Sequence, residues 1–467
     1  MKMWSGRFRQ PLDSDFERWQ RSFEFDRRLL SYELAASGAH ARALKNAGIL
    51  SADELISVLQ GLEQIAERAA ASPAFLEDQE AEDVHHFVEK HLAALIGDTG
   101  YKLHSGRSRN EQIATDLRLY VRAAIDQLRS ELGALCTVFA DRAETAADTA
   151  MPSYTHLQRA EPVLVGHWLL AYVEMFLRDA DRLADCRKRV NVCPLGSGAV
   201  AGATLSLDRA SMADGLGFDA PTANSIDATS DRDFVVEFVN VLSMIALHLS
   251  RWAEEMILFS SQEYGFVLLP EAYSTGSSAM PQKKNPDLLE LVRGKSGRIV
   301  GNAVALMATV KGLPLAYNKD LQETQEPLFH ATDALLQMLP LATGWMKAVE
   351  FEHERMQHAA QSGFINAWAA ATYLVTRGVP SRLAHERIGK AVQMCVERNC
   401  ELQDLLLEDL RSLSPAFGED FYESLSLASV LAIHDVPGGT APNRVRHAIA
   451  IAKKKIESLR EEVHAHA

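Results

Sequence analysis

Four short polar segments of this 467-residue chain carry side chains that could do chemistry. The first is Gly276-Ser277-Ser278-Ala279-Met280-Pro281-Gln282-Lys283-Lys284-Asn285-Pro286-Asp287. Asn285 suits an N-cap, Pro286 the first helical position and Asp287 the first turn, so a helix should start here. Its free N–H groups point back at the loop that holds Lys283 and Lys284. Cations beside a positive helix end repel it unless an anion lies between them, which makes this a candidate anion site with two hydroxyls at hand. The ordinary alternative is a solvated loop with its lysines in water. The second segment is Ser105-Gly106-Arg107-Ser108-Arg109-Asn110-Glu111. Ser108 and Glu111 have the spacing of a capping box, which places Arg109 in a first turn and again implies an anion. The alternative is that Arg107 and Arg109 splay into solvent or pair with carboxylates such as Asp83. The third, Tyr154-Thr155-His156-Leu157-Gln158, offers a lone histidine near a helix start, a place where structural histidines are common. The fourth, Tyr317-Asn318-Lys319-Asp320-Leu321-Gln322-Glu323, clusters polar groups between two apolar helices, where a plain connection would also fit.

Competing motifs do not complete themselves. Gly294-Lys295-Ser296 resembles the end of a P-loop, but Leu289 stands where the earlier glycine is required. The glycines from Gly196 to Gly202 have the wrong spacing for a dinucleotide fingerprint and read as a linker between helices. His85, His86, Glu89 and His91 match no zinc motif and read as a partly exposed polar helix face. No G-x-S-x-G elbow supports Ser-His-Asp chemistry. The surviving segments point to side chains and helix ends acting on a substrate that carries carboxylates.

Long helices must position them. From Ile113 the apolar residues Ile113, Leu117, Val121, Ala124, Leu128, Leu132, Leu135, Phe139, Ala143 and Ala146 recur at steps of three and four, giving one helix of roughly 50 Å. A second stripe runs from Phe234 to Phe259, and a third helix covers about 163–190. Helices apolar over more than one face need helical neighbours, so the fold is expected to be all-α, with a central bundle and self-association. Three domains follow: 1–106, 107–359 and 360–467. With 48 Lys plus Arg against 62 Asp plus Glu, the net charge of −14 argues against a nucleic-acid partner. No uninterrupted run of 18 apolar residues suggests a membrane span, and five scattered cysteines suggest a reducing, cytoplasmic setting.

Ser277-Ser278-x-Met280-Pro281 with Lys283 and Asn285-Pro286 is similar to the signature of the fumarase/aspartase superfamily. The middle, Gln282-Lys283-Lys284, resembles its argininosuccinate lyase family. The likeness extends to Trp4-x-Gly6-Arg7-Phe8, Gly106 to Asn110, Tyr154 to Gln158, Gly196 to Ala199, Asn224-Ser225-x-Asp227-Ala228 and Asp320 to Glu323. It implies three mostly helical domains and a homotetramer whose active sites are each assembled from three subunits. It also implies reversible cleavage of argininosuccinate to arginine and fumarate, with no metal or organic cofactor. By the same likeness Ser277 is the base that takes a carbon-bound proton. Lys283 and Asn285 hold the carboxylate that becomes a dianion. His156, oriented by Glu290, is the acid for the departing nitrogen; exchanging the roles of Ser277 and His156 is the open alternative. Ser22, Ser108, Arg109, Asn110, Thr155, Tyr317 and Gln322 match substrate-binding positions. Gln325 takes a substrate-binding position where the family usually has lysine, Thr324 replaces a usual aspartate, Glu161 a glutamine and Trp168 a histidine. Two rival functions follow from the resemblance: a lyase of another fumarate adduct, and an inert crystallin-like structural protein.

Overall fold

A computed structural model describes residues 10–466, so the match at Trp4, Gly6, Arg7 and Phe8 lies outside the described residues. Five long helices run through the middle of the chain: Arg109–Thr145, Val165–Val190, Asp233–Ser260, Asp287–Val310 and Gln325–Ala348. The first three bear out the periodicities read above. The protein is all-α, with only short two-stranded ladders among the described residues. Helix 233–260 is long and apolar enough to cross a membrane, but 61% of its most apolar window is buried within the protein. Burial of that kind marks a core helix.

The chain divides into two compact units, 1–127 with 182–243 and 298–334, and 128–181 with 244–297 and 335–467. Each long helix gives one part to each unit, alternately its N-terminal and its C-terminal part.

In the first unit, arginines of helix 109–145 close the ends of neighbouring helices. Arg118 donates to the carbonyls of Arg189 and Val190, at 2.9 and 3.1 Å, where helix 165–190 ends. Arg122 donates to the carbonyls of Leu216 and Gly217 after helix Arg209–Gly215. A cation satisfies those orphan carbonyls and favours the negative helix end. Ala36, Ala39, Ala43, Leu119, Leu195 and Phe218 pack together behind them.

In the second unit, Phe139, Phe176, Trp252 and Trp345 are fully buried, with the Trp252 and Trp345 rings edge to face at 5.3 Å. Burying a side chain of this kind contributes roughly 1.5–3 kcal/mol. Residues 364–425 gather a smaller core around Leu374, Cys395, Leu402, Phe417 and Phe421. The last helix, Pro442–His466, ties back through Lys455 to Glu174 and Arg129 to Glu462.

Candidate active site

The first unit holds one set of the expected residues. Helix 109–145 starts at Arg109. The Ser108 hydroxyl accepts the Asn110 N–H at 3.3 Å, and the Glu111 carboxylate accepts the Ser108 N–H at 3.0 Å. The other Glu111 oxygen accepts the Gly198 N–H at 3.0 Å, so the same carboxylate ties down the glycine segment. A Cβ at Gly198 would meet the Gly202 carbonyl oxygen at 2.7 Å, which explains the glycine there. Arg109 pairs with Glu82 at 3.2 Å and Asp83 at 3.0 Å, the carboxylate pairing weighed above for this arginine.

Glu82 and Asp83 then reach further members of the set. The Glu82 carbonyl accepts the Ser22 N–H at 2.9 Å, and Lys319 lies 3.7 Å from its carboxylate. The Ser22 hydroxyl donates to Asp26 at 2.6 Å. Gln322 donates to the Gln20 carbonyl at 3.1 Å. Burial raises the Tyr317 phenol pKa, and so do the charges of Asp83 and Glu82; Arg232 and Arg109 work against them. Ser22, Arg109 and Lys319 are thereby tied to one acidic hub whose charge Tyr317 feels, while Ser108 and Asn110 are held by the cap at Glu111 and Gln322 by Gln20. Sequence reasoning missed Glu82, Asp26 and Gln20, whose partners lie far along the chain. A cavity of about 750 Å³ opens beside Glu82, Arg107, Ser108, Arg109 and residues 198–204. Burial, then Arg107 and Arg109, push the His104 imidazole on its wall down to about 4.

Gln325 opens helix 325–348 as a buried residue with its side-chain oxygen unpartnered. Arg107 does not face solvent: its guanidinium is buried, donates to Ser37 at 2.8 Å and lies 3.8 Å from Glu33. Of the histidine cluster, His86, Glu89 and His91 lie on the partly exposed face expected and His85 does not. His85 is buried 3.0 Å from Glu33 and 3.7 Å from Asp116, and His91 packs between Phe75 and Phe87. Glu33, His85 and Asp116 are close enough to ligate an ion, but they balance one another. Burial opposes ionisation of Glu33, yet His85 and Arg107 outweigh it and hold its carboxyl at about 2. Burial and the Glu33 charge raise Asp116.

The second unit holds the residues expected to act as acid and base. His156 does not start a helix; it sits at the tip of a β-hairpin. Strands Ala150–Thr155 and Gln158–Leu164 pair with Thr155 opposite Gln158, and His156 and Leu157 form the two-residue turn at φ of 55° and 57°. Two positive φ values are the mark of a type I′ turn, which matches strand twist but strains residues other than Gly and Asn. The Ser153 hydroxyl, bonded to both backbone groups of Glu161, holds the hairpin together. Arg159 anchors it to Ser362 at 3.1 Å. His156 is exposed at the tip.

The serine segment is a second hairpin. Thr275–Gly276 pairs with Lys284–Asn285, pinching residues 277–283 into a loop. The Ser277 hydroxyl accepts the N–H groups of Ala279 and Met280 at 3.3 and 3.1 Å. Asn285 is not the N-cap expected. Its amide donates to Thr275 and the Gly276 carbonyl, so it serves the hairpin instead. Helix 287–310 begins at Asp287, the Pro286 carbonyl accepting the first helical bond from Glu290. The Asp287 carboxylate reaches Thr275 at 2.6 Å and locks the loop base to the helix start. Lys284 is taken by the Leu269 carbonyl at 2.8 Å. Lys283 is exposed and makes no ion pair among the described residues, although Asp287 feels its charge. Glu290 is exposed, and no hydrogen bond joins it to His156 within the chain. A half-buried serine, a free ammonium, helix N–H groups and a histidine at a hairpin tip can bind an anion and move protons.

Comparison with known proteins places this architecture among lyases: a family described as Lyase matches residues 6–301, and Argininosuccinate lyase C-terminal matches residues 364–432. An EDDS lyase in complex with formate superposes with a TM-score of 0.86 at 26% identity, over 98% of this chain and 92% of that one. A class II fumarase from Schistosoma mansoni shares the fold, with a TM-score of 0.73 at 17% identity over 85% of this chain and 90% of that one. Argininosuccinate lyase of Koribacter versatilis is 58% identical over 467 residues, 100% of both chains, and that of Heliobacterium mobile is 49% identical over 97% of this chain and 99% of its own. The chain belongs to the argininosuccinate lyase family.

Proposed function

We infer that this chain cleaves argininosuccinate reversibly to arginine and fumarate by β-elimination. The observation that carries this reading is the end-to-end identity of 58% with an argininosuccinate lyase, in a chain that keeps Ser277, Lys283, Asn285, His156 and Glu290. Elimination needs a base for a proton beside a carboxylate, positive groups for the aci-carboxylate that develops, and an acid for the leaving nitrogen. In this proposal Ser277 is the base, its anion favoured by Lys283 and the start of helix 287–310. Lys283 and Asn285 hold the carboxylate as it gains charge. His156 protonates the guanidine nitrogen, directly or through water, with Glu290 of another copy orienting it; the exchanged assignment of base and acid uses the same residues. Ser22, Ser108, Arg109, Asn110, Thr155, Tyr317, Gln322 and Gln325 bind the remainder of the substrate.

The active unit is proposed to be a homotetramer of three-domain subunits (1–106, 107–359 and 360–467) with shared active sites, working in the cytoplasm without cofactor. A face of helix 287–310 supports the assembly. Leu291 and Val304 are 60% and 56% exposed, and Gly294, Gly297 and Gly301 look onto open space. Small residues beside bare apolar ones suit close packing against another helix. The absence of damage among the acid/base residues disfavours an inert structural role. Gln325 in place of lysine is the one feature that favours a different fumarate adduct.

The test mixes purified protein with argininosuccinate and follows fumarate by ultraviolet absorbance, with adenylosuccinate, malate and aspartate in parallel. Release of fumarate from argininosuccinate is expected. Activity confined to one of the other three would replace the substrate while keeping the reaction class.

A further inference from the structure

Helix Ser381–Arg398 ends in a way that brings two sulfur atoms together. Asn399 adopts φ of 51°, the left-handed conformation that closes a helix. The Cys400 N–H donates to the Cys395 carbonyl at 3.0 Å, and the Asn399 N–H to the Val396 carbonyl at 3.4 Å. These are the two bonds of a Schellman cap, and such a cap places the side chain two residues past the helix against the one three residues inside its end. That contact is frequently between two hydrophobic residues. Here the two positions are held by Cys400 and Cys395, and each sulfur acts on the other.

Their exposure differs. Cys395 is fully buried in the core of residues 364–425, whereas Cys400 packs against that core and remains partly open to solvent. Cys136, Cys186 and Cys193 are fully buried elsewhere. An oxidant in solution therefore meets Cys400 first, and the nearest reducing partner is Cys395.

We propose that Cys395 and Cys400 form a peroxide-responsive thiol pair, closing to a disulfide across the helix cap when the chain meets a hydroperoxide. The Cys400 thiolate attacks one peroxide oxygen, the O–O bond breaks, and the leaving hydroxide takes up a proton to become water. Cys400 is then a sulfenic acid. The Cys395 sulfur, giving up its proton, attacks the Cys400 sulfur, the S–O bond breaks, and a second water leaves. Two thiols and one hydrogen peroxide give one disulfide and two waters. Burial, then the neighbouring Cys400 thiol, push the Cys395 thiol up to about 12, which fits a residue that resolves the sulfenic acid rather than meeting peroxide first. The pair protects Cys400 from irreversible oxidation to the sulfinic acid, and a dithiol restores both thiols.

Trypsin cleaves after Arg398, between the two cysteines, so the bond can be read directly. The full-length protein is treated with hydrogen peroxide, denatured, alkylated and digested. A disulfide-linked pair of peptides 391–398 and 399–411 is expected, lost on treatment with dithiothreitol, with the other three cysteines alkylated. In Cys395→Ser, Cys400 should accumulate as a dimedone-trapped sulfenic acid and then as sulfinic acid. In Cys400→Ser, Cys395 should stay fully alkylatable. The wild-type peptide map decides the matter even if a variant does not fold. Cys400 over-oxidised in the wild type beside an alkylated Cys395, a Cys400–Cys400 bond between chains, or both cysteines alkylated after excess peroxide would each overturn the proposal.

Discussion

Two regions of the molecule carry basic residues at the start of a long helix, and they treat those charges in opposite ways. At the start of helix 109–145, Arg109 is already held by Glu82 and Asp83, and Arg107 is buried beside Ser37 and Glu33. At the start of helix 287–310, Lys283 stands exposed without an ion pair among the described residues, on a loop whose base is fixed by Asp287, Asn285 and Lys284. A cation held by protein carboxylates keeps a fixed place and presents its remaining N–H groups in a set geometry. A cation left in water can meet charge that appears only during a reaction. In the proposed reaction the first region binds and the second acts, and this division can be tested from both sides.

Lys283→Ala should give the largest change. Removing one donor to a developing oxyanion costs ~10²–10³ in kcat, while the melting temperature should scarcely move because the ammonium has no partner to lose. Steady-state kinetics beside a thermal melt would show the split; a large fall in melting temperature with normal kcat would reverse the roles of the two regions. Arg109→Gln should do the opposite in the melt. It strips Asp83 of its ion pair and leaves Glu82 only the more distant Lys319, and should cost roughly 3 kcal/mol of stability in denaturant unfolding, with KM rising more than kcat falls.

Asp26 gives a pH signature to the binding region. Burial, then the Asp83 charge, push its carboxyl from 3.8 up to about 7. The folded protein thus holds this proton more tightly than the unfolded chain. The stability it contributes is complete below about pH 4 and is lost as pH rises through 7. Asp26→Asn removes the titration, so wild type should lose up to roughly 4 kcal/mol relative to the variant between pH 4 and pH 8. Parallel stability curves for the two proteins would contradict this. The smallest effect is expected from Gln325→Lys, which puts a cation at the proposed substrate-binding position: a change in KM for argininosuccinate within about tenfold, with kcat nearly constant. A preference for another fumarate adduct in wild type, reversed by this change, would sharpen the comparison further.

The long helices were legible because their apolar residues keep steps of three and four over many turns, a pattern that local chemistry cannot mask. Ser108 and Glu111 were legible for the same reason, since their bonds are made within one turn. The hairpin bearing His156 was not. Its turn residues are His156 and Leu157, where an Asn-Gly pair would have announced a type I′ turn, and Pro152 interrupts the first strand. Asn285 has the chemistry of an N-cap, but its amide is claimed by Thr275, ten residues earlier, and no local rule weighs such a competitor. Asp83 was legible as a partner of Arg109, but Glu82 escaped notice because Arg109, Ser22 and Lys319 converge on it from distant stretches of chain. Where bonds are local the residues announced their structure; where the fold supplies the partner they announced only their chemistry.

The central claim is that the serine loop performs the elimination. It is tested most directly by following fumarate absorbance as argininosuccinate is mixed with wild type and with Ser277→Ala, both checked for the same sedimentation behaviour. The account predicts rapid release by wild type and a rate at least ~10²-fold lower for the variant. Near-normal turnover by a correctly assembled Ser277→Ala protein would contradict it.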